Sequence, residues 1–146
     1  MVVKTEGDLL QSSAHALVNP VNCRGVMGKG LARGFADTFP EILPAYRAVC
    51  RDGRLRPGRV QLLTRPDGRI VANAATKDDW RAPARLAWVD QALAELHTKL
   101  RARAVPTVAV PLLGAGNGGL DRATVIARVE RVFAADPDMT IYLYTT

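Results

Sequence analysis

Two glycine-rich segments each follow an apolar run and each have the composition of a phosphate-binding loop. The first extends from Asn22 to Gly34 after the run Ala16–Pro20, and the second begins at Gly114 after the run Thr107–Leu113. Glycine lets the backbone approach a ligand closely, and N–H groups at a helix N-terminus favour phosphate. Neither segment has the Gly-x-x-x-x-Gly-Lys-Ser/Thr pattern of a P-loop. Two such loops at strand ends of one sheet predict a cleft for a ligand that contains a diphosphate.

Two further segments carry side chains suited to a binding or catalytic site. Asp8 closely follows the first apolar run, and its carboxylate could accept a hydrogen bond from an adenine amino group or a ribose. Taken alone, a turn or helix cap is the simpler interpretation of Asp8. The segment Thr76–Arg81 follows the run Arg69–Ala74, and a lysine at a strand end, here Lys77, can act as a nucleophile or a proton donor. The alternative for this segment is a solvated charged loop.

The histidines and cysteines form no recognisable metal or nucleophile pattern. His15 and His97 are far apart in the sequence, and neither has a Cys or His at metal-ligand spacing. Cys23 and Cys50 are too few for a disulfide framework, which favours a reducing cytoplasm. Cys23 has no visible His partner, so we interpret it as a small residue at a tight turn. The expectation is a site without a metal or a cofactor.

Composition favours one globular domain with an anionic partner. The chain has 146 residues, 48% hydrophobic and 23% charged, so residues 1–146 are predicted to form a single domain. Twenty Lys and Arg residues against 14 Asp and Glu give a net charge of +6, which favours a nucleotide or nucleic acid. Aromatic residues are only 5%, which argues against a platform that stacks single-stranded bases. No membrane-spanning run or signal-peptide pattern is present, so a cytoplasmic location with no membrane partner is expected.

The apolar periodicity predicts an α/β fold in which helices flank a mixed sheet. Arg65-Pro-Asp-Gly68 is typical of a hairpin turn, and Pro20 is expected to end the second strand. The predicted strands are Val2–Thr5, Ala16–Pro20, Val60–Thr64, Arg69–Ala74, Thr107–Leu113 and Thr140–Tyr144. The predicted helices are Leu31–Phe39, Glu41–Arg51, Ala84–Arg103 and Arg122–Ala134.

Taken in order, the motifs resemble the macrodomain family over nearly the whole chain. The matching segments are Gly-Asp-Leu at 7–9, Val-Asn-x-Val-Asn at 18–22, Gly-x-Met-Gly-Lys-Gly-Leu-Ala at 25–32, Phe-Pro-Glu at 39–41, Thr-Lys-x-x-Trp-Arg at 76–81 and Leu-Gly-x-Gly-x-Gly-Gly-Leu-Asp at 113–121. The resemblance implies a three-layer α/β/α macrodomain with a mixed central sheet, whose cleft binds ADP-ribose as ligand or product. The Met-Gly-Lys-Gly and Thr-Lys-x-x-Trp-Arg segments are similar to antitoxin macrodomains of the DarG type. Those enzymes remove ADP-ribose from thymidine bases of DNA and so reverse a toxin; they are similar to the human terminal ADP-ribose protein glycohydrolase.

The resemblance also implies a role for individual residues. Lys77 resembles the catalytic lysine, Asn22 the asparagine near the distal ribose, and Asp8 the residue that meets the adenine. Lys77 would either protonate the leaving base or attack the anomeric carbon, and the sequence leaves both open. Trp80 and Arg81 could frame the nucleobase or its 3′ phosphate. The other expected ligand-binding residues are Leu9, Asn19, Gly28, Lys29, Gly30, Leu31, Thr76, Gly114, Ala115, Gly116, Asn117 and Gly118.

Several positions depart from the family pattern on the substrate side of the cleft. Ala74-Ala75 stand where relatives often have Phe-Pro, and Asp79 stands where a histidine is common. Arg122 replaces a frequent Trp, and Gly118 occupies the position of an aspartate in the human relative. Asp79 could hold Lys77 in its charged form. The substrate is therefore the least determined feature.

The expected partners are ADP-ribose, single-stranded ADP-ribosylated DNA and a cognate ADP-ribosyltransferase toxin, with the chain itself a monomer. Two alternatives stay open: an enzyme that removes ADP-ribose from acidic residues of proteins, and a non-catalytic module that only binds ADP-ribose. The presence of Lys77 favours an enzyme. The toxin-binding extension usual in such antitoxins is not in this sequence, which predicts a stand-alone relative or an excised domain.

Overall fold

The computed structural model describes residues 1–146 and confirms the predicted alternation of strands and helices. The strands are β1 (Val2–Thr5), β2 (Ala16–Val21), β3 (Val60–Thr64), β4 (Ile70–Ala75), β5 (Thr107–Pro111) and β6 (Thr140–Tyr144). The helices are α1 (Gly30–Thr38), α2 (Ile42–Arg51), α3 (Leu86–Ala102) and α4 (Arg122–Phe133). Two single-turn 3₁₀ helices, Leu9–Gln11 and Gly116–Gly118, were not among the predicted helices, and the first is capped by Asp8, for which a turn or helix cap was the simpler interpretation. None of the helices is long and apolar enough to cross a membrane.

The six strands form one mixed sheet in the order β1-β6-β5-β2-β4-β3. Every neighbouring pair is parallel except β3 and β4, which the predicted hairpin joins as an antiparallel pair. The five parallel strands therefore end at the same edge of the sheet. That edge is where ligands bind in open α/β sheets.

Helices cover both faces of the sheet, which confirms the three-layer α/β/α prediction. One apolar cluster of 20 buried residues packs α3 and α4 against one face, with Val89, Leu93, Leu96 and Leu100 forming the buried stripe of α3. A second cluster of 13 buried residues packs α1 and α2 against the other face. Burial of one such leucine contributes about 1.5–3 kcal/mol. The two clusters thus hold the sheet rigid beneath its loops.

Pro20 does not end β2 as predicted, since the strand continues to Val21. The N–H of Ile70 donates to the carbonyl of His15, and the N–H of Thr76 donates to the carbonyl of Val21, so the odd-numbered residues of β2 bond β4. Pro20 consequently faces β5, with which β2 pairs only at Ala16 and Leu17. A missing N–H costs nothing there because β2 and β5 have already separated.

Candidate functional site

A cavity of about 900 Å³ lies at the carboxyl ends of the parallel strands. Its walls are the loops after β1, β2, β4 and β5 together with the end of β6. It opens where β2 and β5 stop pairing and the connections turn to opposite sides, which is the usual position of a ligand in an open α/β sheet. Fourteen of the seventeen predicted site residues line it: Asp8, Leu9, Asn22, Gly28, Lys29, Leu31, Thr76, Lys77, Trp80, Gly114, Ala115, Gly116, Asn117 and Gly118.

Three predicted residues, Asn19, Gly30 and Arg81, do not line the cavity. Asn19 is fully buried, and its amide donates to the side-chain oxygen of Asn73 at 3.0 Å. Gly30 begins α1 with a φ of +59°, and a Cβ there would stand 2.7 Å from the side-chain nitrogen of Asn117. The guanidinium of Arg81 is bonded to the carboxylate of Asp79. Asn19 therefore connects β2 to β4, Gly30 allows the two glycine loops to approach each other closely, and Arg81 is paired with Asp79 outside the cavity wall.

Ten residues of the cavity wall were not predicted. Some follow directly from the strand ends: the last residues of β2 and the residues Pro111–Leu112 at the end of β5 were available from the rule that places ligands there. Others come from the end of β6, which the sheet order places beside β1, and from the start of α4, which follows the second glycine loop. The unpredicted residues are Gly7, Pro20, Val21, Val26, Ala32, Pro111, Leu112, Arg122, Tyr144 and Thr146.

Asn22 holds the first glycine loop in shape. Its side-chain amide donates to the carbonyl of Val26 at 2.7 Å, and its side-chain oxygen accepts from the N–H of Arg24 at 2.9 Å. The buried hydroxyl of Tyr46, on α2, donates to the main-chain carbonyl of Asn22 at 2.7 Å. One amide hydrogen of Asn22 is left for a ligand. Asn22 is thus fixed from two sides at the wall of the cavity.

Lys77 connects the loop after β4 to the second glycine loop. Its Nζ donates to the carbonyl of Asn117 at 2.9 Å, within the Gly116–Gly118 turn. The N–H of Ala84 bonds the carbonyl of Gly118 at 3.0 Å, so the segment before α3 supports the same turn. A Cβ added to Gly118 would lie 3.9 Å from Cε of Lys77. A lysine amine is therefore positioned inside the cavity against a backbone turn.

The segment after Lys77 carries a network of ion pairs whose side chains are largely exposed to solvent. The carboxylate of Asp79 accepts two hydrogen bonds from Arg81, at 2.9 and 2.7 Å, and lies 3.7 Å from Arg24. Hydrogen bonds from Arg81 hold the pKa of Asp79 far below its usual range. Arg24 also bonds Asp78 at 3.2 Å, and the N–H of Cys23 bonds the carbonyl of Asp78 at 3.0 Å. Asp79 makes no hydrogen bond to Lys77, so the proposed effect of Asp79 on that lysine has no support in the contacts.

Cations outnumber carboxylates in the cavity wall. Lys29, Lys77 and Arg122 line it against the single aspartate Asp8, and none of the three forms an ion pair with a carboxylate. Arg122 donates instead to the carbonyl of Thr145. Charges of this sign, together with two glycine loops, favour a phosphorylated ligand.

The two aspartates that follow glycine-containing segments differ in their placement. Asp8 caps the short helix Leu9–Gln11 by accepting from the N–H of Leu10 at 3.0 Å, and it also lines the cavity. Asp121 caps α4 by accepting from the N–H and hydroxyl of Thr124, and it lies outside the cavity. Only Asp8 therefore has both a capping role and access to a ligand.

The histidines lie outside the cavity wall. His97 on α3 is paired with Asp136 at 2.6 Å and packs edge-on against Phe133. No group of three or more His, Cys, Asp and Glu side chains is arranged to hold a metal ion. Lys77 is a reactive side chain of the cavity wall whose position is defined by a hydrogen bond.

The thiol of Cys23 is expected to be a poor nucleophile. Burial, reinforced by nearby Cys50 and Asp78, raises its pKa to about 12. A thiol of that pKa has a thiolate fraction roughly a thousandfold lower near pH 8 than a thiol of ordinary pKa. We expect iodoacetamide to label Cys23 in the native protein far more slowly than in the urea-unfolded protein, with mass spectrometry as the readout. Equal labelling rates in the two states would contradict this expectation.

Comparison with known proteins places the chain in a defined group. The sequence profile of the Macro domain family matches residues 18–129, which is most of the chain. A DNA ADP-ribosyl glycohydrolase of Mycobacterium tuberculosis is 41% identical over 99% of this chain and 42% of its own length. The chain therefore spans about two fifths of the curated relatives that it matches.

Solved structures show the same similarity in three dimensions. The macrodomain of Mycobacterium tuberculosis DarG superposes with a TM-score of 0.95 at 41% identity, covering 99% of this chain and 97% of that one. Thermosipho africanus DarTG in complex with ADP-ribose superposes with a TM-score of 0.84 at 27% identity, covering 94% of this chain and 40% of that one. The similarity extends across the whole fold described above.

Proposed function

The chain belongs to the Macro domain family, and on that premise we propose that it is a glycohydrolase that removes ADP-ribose from thymidine bases of DNA. The named relatives at 37–41% identity are DNA ADP-ribosyl glycohydrolases. The proposal includes a cognate ADP-ribosyltransferase toxin as the enzyme whose product is removed, a single-stranded DNA substrate, a monomeric state and a cytoplasmic location. It needs neither a metal nor an organic cofactor.

The dimensions and charges of the cavity suit ADP-ribose. A volume of about 900 Å³ is within the range of pockets that enclose ligands of this size. We place the adenosine at the end of the cavity near Asp8 and the diphosphate between the two glycine loops, where Lys29 supplies positive charge. The distal ribose then lies between Asn22 and Lys77. Binding the adenosine and diphosphate positions the reacting ribose and lowers the entropic part of the barrier.

The observation that carries an enzymatic function is the position of Lys77. Its Nζ is held 2.9 Å from the carbonyl of Asn117, inside the cavity and beside the turn that we assign to the diphosphate and distal ribose. A module that only binds ADP-ribose needs the cleft but no positioned amine at this end. The contact also restricts the Lys77 side chain before substrate binds, which favours a defined reaction geometry.

Two routes are compatible with this geometry. In one, the Lys77 ammonium donates a proton to the thymine as the bond to the anomeric carbon breaks; water adds to that carbon and returns a proton to the Lys77 amine. In the other, the Lys77 amine attacks the anomeric carbon as the base leaves with the proton that the amine loses. The resulting ribosylamine opens to an imine, which water hydrolyses to free ADP-ribose and the lysine amine. In both routes Asn22 orients the ribose hydroxyls, and the backbone of the two glycine loops holds the diphosphate.

We expect the chain to bind ADP-ribose more tightly than AMP by at least about tenfold, because AMP lacks the second phosphate and the distal ribose and so forfeits the contacts of the second glycine loop. Isothermal titration calorimetry with the two ligands measures the difference. Equal affinities would mean that only the adenosine end of the cavity binds, which would contradict the proposed placement.

The activity itself is tested with a single-stranded oligonucleotide that carries one ADP-ribosylated thymidine. The expected products are free ADP-ribose and the unmodified oligonucleotide, resolved by electrophoresis and mass spectrometry. Tight ADP-ribose binding without release would support the binding-module alternative instead.

A further inference from the structure

Two exposed apolar side chains line the cavity. Besides Met1 at the N-terminus, the large hydrophobic residues exposed on the protein are Val26 and Trp80, with 37% and 53% of their surface accessible. Both line the cavity, Val26 from the first glycine loop and Trp80 from the loop after β4. A tryptophan is among the most costly side chains to leave in water, since it exposes a large apolar surface. Its exposure beside a ligand cavity therefore points to a partner.

The indole of Trp80 contacts the ion pair formed by Arg81 and Asp79. The guanidinium of Arg81 stacks over the ring at 5.3 Å from its centroid, and Asp79 fixes that guanidinium with two hydrogen bonds. Arg24 ties the same loop to the first glycine loop through Asp78. Because one face of the indole is already occupied by Arg81, a partner has the remaining exposed surface available. A surface fixed in advance loses little conformational freedom when it binds.

We propose that Trp80 is a stacking surface for a nucleobase of the substrate strand, next to the distal-ribose end of the cavity. This proposal rests on the proposed function, because it assigns the part of the substrate that lies beyond ADP-ribose. Lys77 is three residues before Trp80, and both residues line the cavity. We therefore expect the thymine that is released at Lys77 to lie close to the indole of Trp80. A flat base can cover the indole, whereas the short aliphatic side chain of a modified glutamate or aspartate offers no comparable face.

Arg81 has a supporting role in this arrangement. Its guanidinium is committed to Asp79 and to the indole and does not line the cavity, so it braces Trp80 rather than binding a phosphate of the strand. Arg81→Ala removes the contact with the indole but keeps the indole, so it is expected to weaken stacking less than Trp80→Ala. Trp80 is the specificity-determining residue, and Arg81 is a positioning residue.

Trp88 provides a matched control within the same chain. It also lies beneath an arginine, with the Arg85 guanidinium 4.9 Å from its ring centroid. It is on α3, is less exposed than Trp80, and does not line the cavity. Trp80 and Trp88 are the two tryptophans of the chain, so each single substitution leaves one fluorescent reporter.

The binding test uses tryptophan fluorescence with an unmodified oligothymidine of five nucleotides. Stacking on a base quenches the indole, so the Trp88→Phe protein, which reports Trp80 alone, is expected to lose fluorescence in a saturable way. The Trp80→Phe protein, which reports Trp88 alone, is expected to show no saturable change. Quenching that is equal in the two proteins, or absent from Trp88→Phe, would overturn the proposal whatever the catalytic activity.

The kinetic test compares Trp80→Ala with the unsubstituted protein on the ADP-ribosylated oligonucleotide. We expect KM to rise by about 5- to 150-fold, the range that loss of one base–aromatic stack predicts. The affinity for free ADP-ribose should change less than twofold, Trp80→Phe should recover most of the loss, and Arg81→Ala should raise KM by a smaller factor.

An unchanged KM for Trp80→Ala, in a protein that hydrolyses the oligonucleotide, would overturn the stacking role and leave the proposed function intact. Absence of hydrolysis by the unsubstituted protein would count against the proposed function, while the fluorescence result would still decide the stacking role.

Discussion

Replacing Lys77 by alanine is expected to lower kcat for the ADP-ribosylated oligonucleotide by about a thousandfold, within the range that a positioned acid–base group contributes. The affinity for free ADP-ribose should stay within a few-fold, because a group that acts in the transition state contributes little to ground-state binding. Single-turnover release of ADP-ribose gives the rate, and calorimetry gives the affinity. The hydrogen bond from Nζ to the carbonyl of Asn117 is the only bond that the substitution removes from the resting structure.

Lys29→Ala is the matched control, because Lys29 also lines the cavity but has no hydrogen bond that positions its amine. It should weaken ADP-ribose binding with little change in kcat. Full activity in Lys77→Ala would contradict the catalytic assignment. Reaction in the presence of sodium cyanoborohydride separates the two routes, because an imine at Lys77 would be reduced to a stable adduct with the mass of ADP-ribose, whereas a proton donor would leave the protein unlabelled.

Placing valine at Gly28 is expected to weaken ADP-ribose binding by about a hundredfold, because its side chain would occupy the space where the loop backbone approaches phosphate. The fold should tolerate the change. Gly28 has an ordinary φ, and a Cβ there would meet only the Val26 side chain, at a contact distance of 3.4 Å. Gly116→Val would combine an effect on binding with an effect on folding, because Gly116 has a φ of +63° and a β-branched residue would be strained there.

Gly114→Ala, in contrast to Gly28→Val, is expected to lower the stability of the fold. Gly114 has a φ of +79°, and a Cβ would lie 2.6 Å from Leu120 and 3.0 Å from Val89. The substitution should lower the free energy of unfolding by about 1–3 kcal/mol, through backbone strain and a clash in the core. Thermal denaturation and calorimetry of both variants separate folding from binding. A Gly28→Val protein that loses stability while its folded fraction binds ADP-ribose normally would show that this glycine is structural.

The strand ends explain why so much of the site was predictable from the sequence. Glycine loops and polar residues that follow apolar runs must meet at one edge of a parallel sheet, and the structure places Asp8, Asn22, Lys77 and the Gly114–Gly118 loop there. The contributions of Tyr144 and Thr146 were not predictable in this way. They depend on β6, the last strand in the sequence, pairing with β1, the first.

The predicted site residues whose side chains do not line the cavity differ from the others in the direction in which those side chains point. Asn19 belongs to the same motif as Asn22 but lies within β2, where it is fully buried and bonds Asn73 on the neighbouring strand. Arg81 has the charge of a phosphate ligand, yet Asp79 two residues earlier holds it. The low aromatic content argues against base stacking, and this stays a prediction; composition does not show that one tryptophan, Trp80, is exposed beside the cavity.

The proposed function requires that the chain removes ADP-ribose from DNA rather than from protein. The most direct measurement gives the unsubstituted protein two substrates side by side, a single-stranded oligonucleotide with one ADP-ribosylated thymidine and a protein modified with ADP-ribose on glutamate. Quantified release of free ADP-ribose yields kcat/KM for each. We expect a kcat/KM for the oligonucleotide at least about a hundredfold above that for the protein, a difference of about 2.7 kcal/mol in transition-state binding. Equal values, or a preference for the modified protein, would contradict it.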